Sequence, residues 1–418
     1  MTFLWIALTA MALYFLYGLL APHPNRRAFA DDLPADRVEN GYLMPREVFD
    51  PDEGNLFQRA STSVAAHTKA LKKNAARDDE PFHEPHWGHT SAMLRGTLKI
   101  DKIENLPEQF RTGLFAQDRS YAVVARAGTQ KDPDLGLTSS RLAVKLDYPE
   151  PVPNAYAPSG EANELDLLLA AGAPGNNGAD HTFFARDGHQ VAMAFGLKPP
   201  SLGTLKTLAN WRNIAILLNV RKRVASLTAP LRREPVNQDG WAGTPYYSLG
   251  PFALGDGAMK FALLPVKPHK VAEHDRAKVD FAALSKQNMD DWLASGEETE
   301  FTLAVQLATP DCIPEPRPHD PPKAVMAAEY CDLAWDETAS PYIAVGRLAL
   351  STDTAINTAD VWGQIQYNAW NTLPEMRPLG QLFRMRKHVH SAHSNVRVSH
   401  LYGGKPGELV GKCPFSGK

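Results

Sequence analysis

"YAVVARAG", residues 121–128, is the stretch on which the fold turns. It is rich in Val and other apolar residues, opens on an aromatic and closes on Gly, which reads as a β-strand. One cation, Arg126, interrupts it. A buried guanidinium needs an anionic partner. On an alternating strand it can instead face water, and both readings stand. Further along the chain, "LRGTLKI" (94–100), "RLAVKLDY" (141–148), "MKFALLPV" (259–266), "EFTLAVQLAT" (300–309) and "YIAVGRLAL" (342–350) repeat the pattern. Turn signals separate them, and no regular series of helices lies between. That favours an antiparallel sheet or barrel over a βαβ sheet.

Helical patterns flank and interrupt these strands. "NLFQRASTSVAAHTKALKK" (55–73) spaces Leu56, Ala60, Val64, Ala65 and Leu71 as a helix does, with His67 as one of its side chains. Residues 202–227 read as a helical insertion, and 358–397, "TADVWGQIQYNAWNTLPEMRPLGQLFRMRKHVHSAHSNVR", as helical again. The class is α+β: a barrel-like antiparallel sheet with surrounding helices.

The chain has 418 residues, 44% of them hydrophobic, and a formal net charge of -3. It can bury a large core, and its charge gives no footprint for nucleic acid. Residues 2–21 carry no charge, and twenty helical residues span about 30 Å, a bilayer core. Trp5, Tyr14, Phe15 and Tyr17 suit an anchor, and the segment before the apolar run lacks Lys and Arg. An uncleaved transmembrane helix is therefore expected in place of a signal peptide. Arg26 and Arg27 follow it, which argues for a cytoplasmic domain. Cys312 and Cys331 flank a Pro-rich loop. A bridge there would need an oxidising compartment, and two separate thiols would not, so the side of the membrane stays open. Residues 22–54, polar and Pro-rich, read as a linker or extended arm.

Three stretches can carry chemistry. "FHEPHWGHTSAMLRG" (82–96) holds His83, His86 and His89, three apart, as metal ligands can be. Pro85 and Gly88 break a regular helix there, and no HExxH signature is present. "GNNGADHTFFARD" (175–187) makes a turn and then an aromatic strand. Phe183 and Phe184 in it are core residues or an apolar wall for a planar ligand. In "FRMRKHVHSAHSNVR" (383–397), Arg386 and His390 lie one helical turn apart, and Arg397 two turns further on. That face suits a planar cofactor bearing carboxylates, with Arg pairing to them and His facing a metal. A solvated basic helix has the same spacing.

The segments "LPEQFRTGLFAQDRSYAVVAR", "GLTSSRLAVKLD", "NELDLLL" leading to "HTFFARD", "TPYYSLGPFALGDGAMKFALLP", "LAWDETASPYIAVGRLAL" and "YNAWNTLPEMRPLGQLFRMRKHVH" resemble, in order and spacing, the heme-dependent catalase superfamily. The closer resemblance is to its small, divergent bacterial branch, and it runs from about residue 80 to 400. It implies an antiparallel barrel with heme b between barrel and helices. With the apolar and polar segments read above, the expected division is an anchor at 1–21, an arm and helix at 22–79, a catalase-like heme domain at 80–402 from the resemblance and a tail at 403–418. Arg126 and Arg397 match propionate-binding arginines, and Arg386 matches the Arg four before the axial ligand. His390 occupies the ligand position itself, where the family has Tyr. On the distal side His83 or His89 matches the proton-handling His, with Phe183 or Phe184 on the pocket wall. The distal Asn falls on Ala179 without a gap and on Asn177 with one. The resemblance implies hydrogen peroxide or an organic hydroperoxide as substrate, for a peroxidase, isomerase or weak catalase. The partners it implies are a bacterial inner membrane and either a second copy of the chain or a membrane complex. The replacement of Tyr keeps a second reading open, a non-enzymatic scaffold subunit of such a complex that has lost heme.

Overall fold

In a computed structural model, residues 29, 32–78, 89–132, 137–171, 186–188, 241–267, 281–351 and 365–401 are described. An arm carries the short strands β1 (Val38–Glu39) and β2 (Tyr42–Leu43) and leads into helix α1 (Glu53–Asp78). Strands β3 (His89–Ile100), β4 (Arg119–Asp132), β5 (Leu137–Pro153) and β6 (Glu161–Ala171) follow. Then come β7 (Tyr246–Tyr247), β8 (Phe252–Leu254) and β9 (Gly257–Pro265), helix α2 (Phe281–Ser295) and β10 (Glu298–Leu307). Helix α3 (Lys323–Glu329), β11 (Ile343–Ser351) and helix α4 (Gly380–Leu401) complete the described chain.

Each of the six strand segments expected from the sequence is a strand, all pairings are antiparallel, and one sheet holds the order β10-β11-β3-β4-β5-β6-β7-β9-β8. The further pairing of β10 with β9 closes eight of these strands into a barrel and leaves β8 as a hairpin arm on β9. Closure runs through β7, which pairs with β6 and with β9 over two residues each.

Alternate residues of each strand point inward. Val123, Ala125, Ala127, Leu142, Val144, Leu167, Phe261, Leu303 and Val305 belong to one continuous core. The outward residues are not all in water. Over β3 to β6, the outward residues Met93, Val124, Ala143 and Leu168 pack with Ile365 and Tyr367 of the segment before α4. Over β8 and β9, Ala253 and Ala258 pack with Leu43 of the arm and with Ala324, Met326, Ala327 and Ala328 of α3. These sectors are covered on both faces, so their strands read as nearly unbroken apolar runs.

Buried polar bonds seat the arm and the last helix. Asp36 accepts the backbone N–H groups of Lys323 and Ala324 at 3.2 and 2.8 Å, closing the start of α3. At the start of α4, Glu47 accepts the N–H of Gly380 at 2.9 Å and Glu329 that of Gln381 at 2.8 Å. Gly380 has φ +86°, and a Cβ there would collide with the carbonyl of Ala328, so only Gly fits. Arg384 donates to Glu53 at 3.0 and 2.7 Å, to Glu47 at 2.6 Å and to the carbonyl of Val48 at 2.9 Å. Burial works against its charge, but Glu53, Glu329 and Glu47 outweigh it and raise its pKa.

The expected helix over 358–397 is shorter than the pattern implied. Residues 365–379 are irregular apart from a 3-10 turn at Pro374–Met376, and α4 begins only at Gly380. Pro374 and Pro378 are the reason, since each lacks an N–H and pushes its predecessor out of helical backbone; Leu373 and Arg377 are both extended. Cys312 and Cys331 are buried free thiols, not a bridge. The anchor expected at 2–21 and the helical insertion expected at 202–227 lie outside the described residues.

Candidate functional site: cations between barrel wall and last helix

Arg126 lies on the outward side of β4 yet is only 4% exposed, so the water-facing reading of that strand does not hold. Its guanidinium sits over the Tyr367 ring, 4.7 Å from the centroid. The next outward row holds Lys145, paired through Val124. Lys145 Nζ donates to Asp166 at 2.7 Å and to Glu164 at 2.9 Å, and lies 5.3 Å from the same Tyr367 ring. Burial alone would discharge Lys145; the two carboxylates reverse that and raise its pKa. Asp166 also accepts from the N–H of Asn368 at 2.9 Å and from Asn371 Nδ2 at 2.7 Å. The segment 365–372 is thus tied to β6, and its Tyr367 is laid between two buried cations.

Arg141 completes the wall. Arg126 pairs with Ala143 in the β4–β5 ladder, and Arg141 stands two residues along β5 on the same face. Burial pushes its pKa down to about 9, and the nearby charges of Arg386 and Arg126 push the same way. Arg386 comes from α4 and is held at about 10, mainly by burial, with Cys331 acting in opposition. Both remain cations at neutral pH. Arg141 and Arg386 each keep some accessible surface although burial dominates their electrostatics. Arg386 also lies over the ring of Phe383, at 4.9 Å.

On α4, His390 follows Arg386 by one turn, and His390 too keeps some accessible surface. One turn later, the Ser394 hydroxyl lies 3.2 Å from the Tyr156 hydroxyl, which donates to the carbonyl of Tyr367 at 3.2 Å. Trp370 Nε1 donates to the carbonyl of Phe383 at 2.7 Å. These bonds hold the His390 side of the helix against the segment that covers the barrel wall.

The structure therefore brings Arg126 and Arg386 together around Arg141, on the side of α4 that carries His390. Arg141 was not singled out from the sequence, although its place beside Arg126 on an adjacent strand was in principle readable from the strand pairing. Arg397 falls within α4 and His89 within β3, but their side chains are not among those described. His83, His86, Asn177, Ala179, Phe183 and Phe184 lie outside the described residues. Among the described residues no cluster of His, Cys, Asp and Glu could hold a metal ion. The chemistry of these residues suits a heme: guanidiniums able to pair with carboxylates lie close together, on the side of a helix that also carries an imidazole.

No protein-family model and no curated protein matches the sequence. Solved structures do. A fungal catalase matches with a TM-score of 0.52 at 12% identity, over 90% of this chain and 68% of that one. A bacterial catalase matches with a TM-score of 0.50 at 14% identity, over 93% of this chain and 66% of that one. Catalase A from Saccharomyces cerevisiae matches with a TM-score of 0.52 at 11% identity, over 91% and 73%. At such identities the likeness is one of architecture, and the chain has a catalase-like fold.

Proposed function

We propose that the chain is a membrane-anchored, catalase-like heme b protein that acts on hydrogen peroxide or an organic hydroperoxide. The observation that supports this is the proximity of Arg126, Arg141 and Arg386, on the side of α4 that carries His390. Bound heme supplies a redox-active iron able to cleave the peroxide O–O bond. The chain's own residues do the rest. Arg126, Arg141 and Arg397 pair with the carboxylates of the cofactor and orient it. His390 would hold the iron through an imidazole nitrogen. Arg386 stands one turn before it on the same side of the helix. His83 or His89 would accept and return the peroxide proton, Asn177 would orient the peroxide, and Phe183 and Phe184 would exclude water. Residues 2–21 tether the domain to the membrane, where it works with a second copy or within a complex.

Absorbance of the wild type beside His390→Ala and His390→Tyr tests this. Ala should weaken heme retention, and Tyr should move the spectrum toward that of a tyrosinate-bound heme. Unchanged spectra in both would overturn the assignment of His390.

A second reading is favoured by one observation. Tyr367 and Ile365 close over Met93, Val124, Ala143 and Leu168, so much of the outward wall is already sealed by protein. On that reading the barrel is a scaffold within a membrane complex and binds no heme. A wild type that shows no Soret band after heme is supplied would decide for it.

A further inference from the structure

Phe29 docks at one end of the barrel. Its ring lies 6.1 Å from that of Tyr330, and with Leu333 it packs against the apolar cluster that holds Cys312, Ile313 and Trp335. Ala258 and Ala308 of the same cluster mark the start of β9 and the residue after the end of β10. The Tyr330 hydroxyl donates to Asp320 at 3.4 Å, and Asp320 accepts the N–H of Arg317 at 3.1 Å. These contacts join Phe29 to the Pro-rich stretch 314–319, which is exposed throughout. The opposite end of β10 begins at Glu298, after the exposed Glu297. A strand of that length separates the two ends by about 30 Å.

Phe29 stands eight residues after Ala21, the last residue of the apolar segment. Fully extended, such a tether reaches about 28 Å. Crossing the headgroups on one side of a bilayer uses at least about 5 Å of it. Phe29 is therefore held within about 23 Å of the lipid surface, less than the length of β10. Charge has the matching sign. Beside the Lys323–Glu315 pair, the connection after β10 exposes Arg317 and Asp311, and the tether adds Arg26 and Arg27. The turn before β10 exposes Glu297 and Glu298, against Lys267 after β9. Each basic residue at an anionic surface gains about 1 kcal/mol, and the paired acids at the other end gain nothing there.

We infer, on the membrane-anchored reading above, that the Phe29–Tyr330 end of the barrel lies against lipid headgroups through the stretch 314–319. The Glu297 end points away from the membrane. A short tether fixed to one end of a rigid barrel does this without any further partner.

The test uses the full chain in vesicles of phosphatidylcholine and phosphatidylglycerol that contain a lipid with a nitroxide on its headgroup. In a Cys413→Ser background, Arg317→Cys or Glu297→Cys carries a bimane fluorophore; Cys312 and Cys331 are buried and stay unlabelled. Each labelled chain is first checked for the wild-type melting temperature. Fluorescence at 317 should be quenched, and fluorescence at 297 should stay bright. Equal quenching at both positions, or stronger quenching at 297, would overturn the orientation while leaving the anchor standing. Bright labels at both positions would overturn it too, as when a second copy of the chain shields this end from lipid. A chain that fails to float with the vesicles would overturn the membrane reading itself.

Discussion

Arg126, Arg141 and Lys260 are three cations in strands, and each has a different meaning that only its neighbours reveal. Lys260, on the outward side of β9, is 2% exposed, donates to the carbonyl of Leu333 at 2.6 Å and lies 4.8 Å from the Trp335 ring. Burial lowers its pKa from 10.5 to about 8, against the opposing pull of Cys331, Cys312 and Asp332. Below about pH 8 the fold carries the cost of a buried charge. Between about 8 and 10.5 the folded protein has released a proton that the unfolded chain still holds, so stability rises with pH. The rise amounts to about 3 kcal/mol at about 1.4 kcal/mol per pKa unit. Urea midpoints followed from pH 7 to 10.5 should climb in the wild type and lie flatter in Lys260→Met; parallel curves would refute this.

Arg141 is held below its ordinary pKa by burial and by two like charges, so its charge is a burden on the heme-free fold. Arg141→Met should raise the melting temperature of the heme-free protein, because apolar replacement of such charges is often stabilising. The same change should weaken heme retention by about tenfold or more, the loss of a charge-assisted bond of about 1.5–3 kcal/mol. A variant that melts lower and binds heme as before would count against the site. Arg126 was legible as an anomaly within "YAVVARAG", but Arg141 was not, because its significance lies in Arg386, which is remote in sequence.

At the scale of elements, α4 shows how one helix separates structure from function by its sides. Arg384 and Arg386 are two residues apart, about 200° around the helix. Arg384 faces the arm and α1, where Glu47, Glu53 and Glu329 surround it. Arg386 faces the barrel wall. From the sequence alone "RMR" is a basic run. Arg384→Met should take the Arg384 cation from Glu53 and Glu329, while Glu47 keeps Arg377, and cost about 3–5 kcal/mol, as breaking a buried ion pair does. Chemical denaturation would read the loss, and a change under about 1 kcal/mol would mean that the network is redundant. The start of α4 is set just as locally, by Pro378, Gly380 and the two carboxylates that accept its first N–H groups. Periodicity extended the helix too far upstream because it registers apolar spacing, whereas proline and its predecessor decide where helical backbone can begin.

At the scale of the whole molecule, the barrel closes through β9 and β10, and two layers cover its outer wall: the segment 365–372 with α4 on one sector, the arm with α3 on another. The anchor belongs to this scale as well. The full chain should fractionate with membranes and resist alkaline extraction, and a chain starting at residue 22 should appear in the soluble fraction. A full chain found in the soluble fraction would refute the tether. By itself the sequence determined the strands, their antiparallel class, the first long helix and the apolar segment at 2–21, because short-range periodicity and turn chemistry carry that information. Only the tertiary structure decided which outward faces are covered. That choice decided that Arg126 is buried and that Cys312 and Cys331 are free thiols, and set Arg141 beside Arg386. Burial and charge proximity are properties of space, and residues 141 and 386 acquire them only when the barrel wall and the last helix meet.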